Sequence, residues 1–234
     1  MMKLIIPIII ILFLANNFES RLKRFKKRII DYTKIQSCND LDDRRLQNYQ
    51  NTFDSVTDDE CKHKSIYAYT IDLYVPINCY LRTNLFDAKS LTRYPFLETA
   101  ISEITAILKK TSDSDDIIKK IGTNIVVFRG STLSETPTVG SNWKNFSFLS
   151  TSLIENFSGF VDTSRINAWI LKFKPDTGKA LTGRVLNSCS ATPNEKEFLM
   201  ERDLCWKITN VNESDKIVTF INQVCSAATI YKDL

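Results

Sequence analysis

The chain divides by the spacing of its apolar positions. Between residues 64 and 83, Ile66, Tyr69, Leu73, Ile77 and Leu81 fall three and four apart, which predicts an amphipathic helix. Pro76 lies inside it, cannot donate a backbone hydrogen bond, and should kink it. A second helix is predicted from about Pro95, a residue favoured in the first helical turn, with Leu97, Ile101, Ile104 and Leu108 on one stripe. Ser114 is placed to cap a short third helix, with Asp115 and Asp116 in its first turn and Gly122 just past its end. After Gly122 the character switches. The stretches Ile125–Arg129, Phe146–Ser152, Ile166–Phe173, Ala180–Leu186, Phe198–Met200, Cys205–Val211 and Ile217–Val224 read as strands. Helices followed by many strands imply an α+β fold with mainly antiparallel sheets packed face to face.

Composition narrows the chemistry. With 234 residues, 43% of them hydrophobic, the chain can bury a sizeable core and form one domain. The formal charge of +4 misleads: residues 1–28 hold 7 of the 31 Lys and Arg but 1 of the 27 Asp and Glu, leaving 24 against 26. The remainder is near neutral, which argues against a nucleic-acid partner. There is one histidine, His63, set between lysines. Ser-His-Asp, Cys-His and multi-histidine metal chemistry are therefore disfavoured. A site in this chain has to run on carboxylates, hydroxyls and arginine.

The N-terminus reads as a targeting segment. Lys3 precedes an apolar run from Leu4 to Ala15, of secretory length and short for a membrane span. A signal peptide ending near residue 20 is expected, with an uncleaved membrane anchor as the competing reading. The basic run Arg21 to Arg28 suits a membrane surface. It also contains Arg-x-Lys-Arg, a pattern found at pro-segment processing sites. Six cysteines (Cys38, Cys61, Cys79, Cys189, Cys205, Cys225) without a Cys-x-x-Cys pair fit an oxidising compartment. Sequons at Asn145, Asn156 and Asn212 are compatible with secretion. The C-terminus lacks the hydrophobic tail of a lipid anchor. Together these features predict a secreted monomer.

Three short stretches carry the candidate chemistry. Val126-Val127-Phe128-Arg129-Gly130 puts an arginine at a strand end, beside a glycine that lets a ligand approach the backbone. Alone, such an arginine is usually a surface ion pair. Phe146 to Ser152 alternates aromatic and hydroxyl residues into Ser150-Thr151-Ser152, ordinarily a half-exposed strand. Glu195-Lys196-Glu197 places two carboxylates at the head of a strand-like run. On a strand they would share a face, roughly 6–7 Å apart, where one pKa can rise and base and stabilising roles can divide. The commoner reading of such a triplet is a solvated cluster that blocks edge aggregation. In this order, about 20 and 45 residues apart, the three stretches are specific.

Together they resemble the Arg, Ser-Thr-Ser, Glu-x-Glu signature of the mono-ADP-ribosyltransferases. Phe53 to Cys61 is similar to the opening of the secreted and surface-anchored animal branch, and Ile66-x-x-Tyr69-Thr70-x-x-x-Tyr74-x-x-Ile77-Asn78-x-x-Leu81-Arg82 to its first core helix. Thr177 to Leu181 and the Ser-rich loop before Glu195 also fit. The resemblance covers about residues 53–225. It implies a catalytic domain over 53–234, preceded by a basic N-terminal segment at 21–52. The implied fold has two β-sheets meeting in a cleft that holds NAD as substrate, with helices outside and no metal. By resemblance, Glu197 stabilises the oxocarbenium-like state of nicotinamide–ribose cleavage and holds a ribose hydroxyl. Arg129 binds phosphate or ribose oxygens, Gly130 meets the nicotinamide amide, and Ser150, with Thr151 and Ser152, orients Glu197 and the ribose. Phe160 stacks on nicotinamide, with Phe157 as the competing choice. Glu195 points to an arginine-bearing target protein as acceptor, with Asn187 to Asn194 facing it. NAD hydrolysis at the same site, and a catalytically silent secreted binding domain, are the alternatives. The animal branch further implies a Cys61–Cys225 bridge. Cys189 and Cys205, flanking the strand of Glu197, then pair across a hairpin and leave Cys38 with Cys79.

Overall fold

The computed structural model of the chain describes residues 38, 41–57, 61–83, 93–110, 119–133, 135–155, 167–227, 229 and 232–233. The expected signal segment, the basic run at 21–28, Ser114, the Asn156 sequon, Phe157 and Phe160 lie outside them. The chain separates into two units, Met1–Arg45 and Leu46–Leu234. The described part of the first contains a helix start: the Arg45 N–H donates to Asp42 Oδ1 at 2.8 Å, an aspartate cap that takes one of the orphan amide protons.

Helix α1 spans Asp43–Ser55 and is otherwise polar, yet Leu46, Tyr49 and Phe53 give it a narrow apolar stripe. Leu46 and Phe53 are buried. The helix therefore runs across the boundary expected at residue 53. Next comes one long helical stretch in three pieces: α2 (Lys64–Ala68), a π turn (Tyr69–Leu73) and α3 (Tyr74–Thr83). Pro76, third in α3, has no N–H to give the carbonyl four residues back, so the expected kink takes the form of widened π geometry just upstream. Helix α4, Phe96–Lys109, follows Pro95, whose φ of −64° already suits a helix. The described end of the expected third helix is not helical. Lys119 instead exchanges both backbone hydrogen bonds with Val185, at 3.0 and 2.7 Å. Ile66, Tyr69, Leu73, Ile77, Leu97 and Ile104 form one core with Phe148, Leu186 and Leu199 from the β region.

Among the described residues nine strands follow: β1 (Val127–Thr132), β2 (Asn142–Asn145), β3 (Leu149–Ser152), β4 (Ala168–Lys174), β5 (Gly183–Val185), β6 (Glu197–Met200), β7 (Leu204–Asn212), β8 (Ile217–Gln223) and β9 (Lys232–Asp233). They are hydrogen-bonded in the order β5-β6-β3-β1-β4-β8-β7-β2-β9. β4 with β8 and β2 with β9 are parallel, the other pairs antiparallel. The seven expected strands all occur, with shifted ends; Phe146 and Ser147 form a bend ahead of β3. β1 meets β4 through six residue pairs but β3 through one, Phe128 with Ser152. The sheet thus has two halves joined at a narrow seam. Leu149, Phe198 and Met200 of one half share a core with Val127, Phe173, Trp206 and Phe220 of the other. This is the α+β arrangement expected; the described strands are hydrogen-bonded into one continuous mixed sheet, in place of the expected two sheets packed face to face.

Strand β2 has no sequence signature because its inward residues are Trp143 and a buried asparagine. Asn145 Nδ2 donates to Ser147 O at 3.1 Å and Glu201 O at 2.6 Å, while its Oδ1 accepts from Trp206 Nε1 at 2.8 Å. The sequon at Asn145 is closed in the folded state, since its amide is fully buried. Asn145→Ala should destabilise the protein by about 2–4 kcal/mol, because three buried groups lose their partner at once. Urea unfolding of the variant checks this; a cost under about 1 kcal/mol would show that the network is dispensable.

The disulfides differ from those expected. Cys61 pairs with Cys189, and Cys205 with Cys225, both with Cα atoms 5.3 Å apart. The Cys61–Cys225 bridge implied by the animal branch is therefore not formed, nor is Cys189–Cys205. Cys205 lies opposite Gln223 in the β7–β8 ladder, which carries Cys225 within reach just beyond the strand. Cys189 sits in a 3-10 turn, Asn187–Cys189, buried in the helical core beside Cys61. Cys38 and Cys79 are each disulfide-bonded as well.

Candidate active site

The seam gathers the three stretches singled out in the sequence. Arg129, in the middle of β1, reaches across and donates from Nη1 to Ser150 O at 2.7 Å. Gly130 follows on the same strand, paired with Ile170 of β4. From β3, Ser150 Oγ donates to Glu197 Oε1 at 2.6 Å. Ser152 lies directly opposite Glu197 in the β3–β6 register, so Ser150, two residues away on the same face, meets it diagonally. The other two hydroxyls of the triplet hold backbone. Thr151 Oγ1 donates to Phe198 O at 2.7 Å, and Ser152 Oγ donates to Glu195 O at 2.7 Å while accepting from Ile154 N at 2.9 Å. Ser-Thr-Ser is thus a clasp on residues 195 to 198, and its first serine alone bonds the carboxylate.

Glu197 opens β6 and is 5% exposed. A carboxylate removed from water needs its oxygens satisfied, and both are. Oε1 takes the Ser150 hydroxyl, and Oε2 accepts from Ser190 Oγ at 2.8 Å. Ser190 was not anticipated. It follows the Asn187–Cys189 turn, and nothing in the local sequence marks it over Ser188, the other serine of that loop. Its placement depends on Cys189 being drawn to Cys61, 128 residues away.

Glu195 departs from the expected geometry. It ends a 3-10 turn, Pro193–Glu195, and Lys196 takes a left-handed backbone, φ 44° and ψ 52°. Glu195 and Glu197 therefore do not share the one strand face expected from alternation: the strand begins at Glu197. The left-handed step, unfavourable for a residue with a Cβ by about 1–2 kcal/mol, is held by the Lys196 N–H on Pro193 O and the Leu153 N–H on Lys196 O, each at 3.2 Å. Glu195 stands half-exposed at the outer end of this turn.

The helical region supports the site from below. Tyr69, in the π turn, is 1% exposed; its hydroxyl donates to Phe148 O at 3.3 Å and accepts from Asn78 Nδ2 at 3.1 Å. Burial pushes the Tyr69 hydroxyl far above its ordinary pKa, outweighing the downward pull of the Asn78 hydrogen bond and the Arg129 charge. Tyr69 is a neutral donor. Its neighbour Thr70 accepts the Ala191 N–H at 2.9 Å, pinning the loop immediately after Ser190. A π turn offers a plain reason for this reach, since it turns side chains that a regular helix would stagger differently.

The chain can now be placed among known proteins. The family model described as "ADP-ribosyltransferase exoenzyme" matches residues 43–232. No curated protein matches the chain in sequence. Among solved structures, the Vis toxin of Vibrio splendidus, an ADP-ribosyltransferase, is 15% identical over 81% of this chain and 87% of its own, with a TM-score of 0.52. Plx2a, an ADP-ribosyltransferase toxin from Paenibacillus larvae, is 18% identical over 76% and 92%, at 0.50. Exoenzyme S from Pseudomonas aeruginosa, solved with a human 14-3-3 protein and bound to carba-NAD, is 14% identical over 75% and 88%, also at 0.50. At such identities these structures speak to the fold, and they agree on it. The match over residues 43–232 goes further, and the chain belongs to the ADP-ribosyltransferase exoenzyme family.

Proposed function

We propose that the protein is a secreted enzyme that transfers ADP-ribose from NAD to an arginine of a target protein, releasing nicotinamide. Family membership supplies NAD-dependent mono-ADP-ribosylation; one observation carries the cleavage step. A carboxylate held by two hydroxyls, Glu197, sits beside an arginine that is hydrogen-bonded to the same strand as one of them. As the bond between ribose C1′ and the nicotinamide nitrogen breaks, its electron pair leaves with nicotinamide and positive charge grows on the sugar. Glu197 offers that charge a fixed partner. Arg129 offers the fork of donors that suits pyrophosphate or ribose oxygens. Ser150 links the two. Gly130 gives room for the nicotinamide amide, and Thr151 and Ser152 keep Glu197 in register.

Glu195 carries the choice of acceptor. A half-exposed carboxylate on the loop outside the cleavage site suits a guanidinium that must be oriented and must lose a proton as its nitrogen attacks C1′. The Vis toxin has been solved in complex with agmatine, a small guanidinium compound, which supports arginine as the acceptor class here. Secretion is supported by the disulfides, which persist in oxidising compartments.

Labelled NAD, supplied with and without a simple arginine analogue, tests the reading. Label on the analogue is the expected result. Free ADP-ribose alone would make the protein an NAD glycohydrolase, and intact NAD a silent binding domain. Glu195→Gln should split the activities, losing about tenfold or more in transfer while keeping most hydrolysis, because acceptor activation alone is removed. Equal loss of both would show that Glu195 does not serve the acceptor.

A further inference from the structure

We propose that Ser190 is a positioning residue for nicotinamide–ribose cleavage, acting through Glu197. This deepens the reading above and rests on it. Ser190 Oγ lies 2.8 Å from Glu197 Oε2, on the oxygen that Ser150 leaves free. The Thr192 hydroxyl also lies near it, at 3.4 Å, but the Glu197 carboxylate is the nearer and the stronger acceptor for the Ser190 proton. The Thr192 N–H, which can only donate, lies 3.2 Å from the same Oγ and occupies a lone pair, leaving the hydroxyl hydrogen for the carboxylate. Ser190 is 2% exposed, so water does not compete for this bond.

Two donors on opposite oxygens do what one cannot. The last torsion of a glutamate is broad and nearly two-fold, so Ser150 alone would leave the carboxylate plane free to swing about Oε1. Ser190 closes that freedom. It comes from a separate segment, and that segment is fastened at three points: Cys189 to Cys61, the Ala191 N–H to Thr70 Oγ1, and the Glu195 carbonyl to Ser152 Oγ. The loop ahead of β6 thus contributes to bond cleavage as well as to acceptor recognition. A preorganised carboxylate needs no reorientation as charge develops, which is where such a group gains its catalytic effect.

Kinetics of nicotinamide release separate this role from a structural one. Ser190→Ala should lower kcat about ten- to hundredfold, the range for losing a hydrogen bond to a charged group, and leave KM for NAD within about threefold. Ser190→Thr restores the hydroxyl and should recover most of kcat. Thermal unfolding and non-reducing mapping of the Cys61–Cys189 peptide show whether both variants keep the fold and the bridge. An active wild type with Ser190→Ala at the parental kcat overturns the proposal alone. So does a folded Ser190→Thr as slow as Ser190→Ala, or a loss confined to KM. A wild type that leaves NAD intact overturns the functional reading together with the proposal.

Discussion

Glu197→Gln is expected to reduce both ADP-ribose transfer and NAD hydrolysis by about a hundred- to thousandfold, the cost of removing one preorganised charge contact of about 3–4 kcal/mol. The exchange keeps the shape of the side chain: one serine can still donate to the amide oxygen, and the other can turn its hydroxyl to accept from the amide NH2. What disappears is the negative charge at a site 5% exposed. Both activities should fall together, because cleavage of the nicotinamide–ribose bond precedes the choice between guanidinium and water. The variant should unfold at nearly the wild-type temperature. Near-normal nicotinamide release from a folded Glu197→Gln protein would remove Glu197 from the mechanism and, with it, the reading of the seam as an active site.

The largest effect on stability is expected at the bridge between the helical region and the loop ahead of β6. Cys61 and Cys189 are 128 residues apart, and closing a loop of that length restricts the unfolded chain by about 5 kcal/mol on the chain-entropy model. Removing native bridges from small secreted domains costs about 2–5 kcal/mol, so Cys61→Ser should fall in that range. The companion bridge, Cys205–Cys225, encloses only 20 residues and staples a β7–β8 ladder that is already hydrogen-bonded along its length. Its loss should cost less. Equilibrium unfolding of the two variants under oxidising conditions orders them. A larger loss for Cys225→Ser than for Cys61→Ser would reverse the assignment of the main staple.

How much could be read from the chain depended on whether a signal was local. Ile66, Tyr69, Leu73 and Ile77 mark their helix because a single buried stripe imposes its own period, and all four are in the core. Arg129, Ser150 and Glu197 were singled out by the order and spacing of three strand-like stretches and their resemblance to a known signature, and their strands bring them to one seam. Other features were not. Asn142 to Asn145 gives no strand signal, since what makes it a strand is a buried amide that finds partners on Ser147, Glu201 and Trp206. The stripe of Leu46, Tyr49 and Phe53 is outnumbered by polar neighbours, so no helix signal stands out over Asp43–Ser55. Glu195 was carried onto a strand by alternation, and alternation fails at Lys196 because a left-handed residue interrupts it without any glycine or asparagine to announce it. Ser190 is the extreme case. Its role follows from a covalent bond between distant cysteines, and fifteen pairings of six cysteines are open on spacing alone.

The single ladder pair at the seam has a mechanical consequence. Among the described strands, β5, β6 and β3 form one leaf joined to the six-stranded other leaf by the single pair Phe128 and Ser152, and the line between β1 and β3 is a crease. The cation and the carboxylate stand on opposite leaves, fastened through Arg129 and Ser150. One ladder pair resists bending along that line less than the six pairs between β1 and β4 do. A dinucleotide lying across the fold would therefore act as a splint: backbone amides at 127–129 and 149–152 would exchange more slowly with deuterium in its presence, while those of the β4–β8 ladder would hardly change.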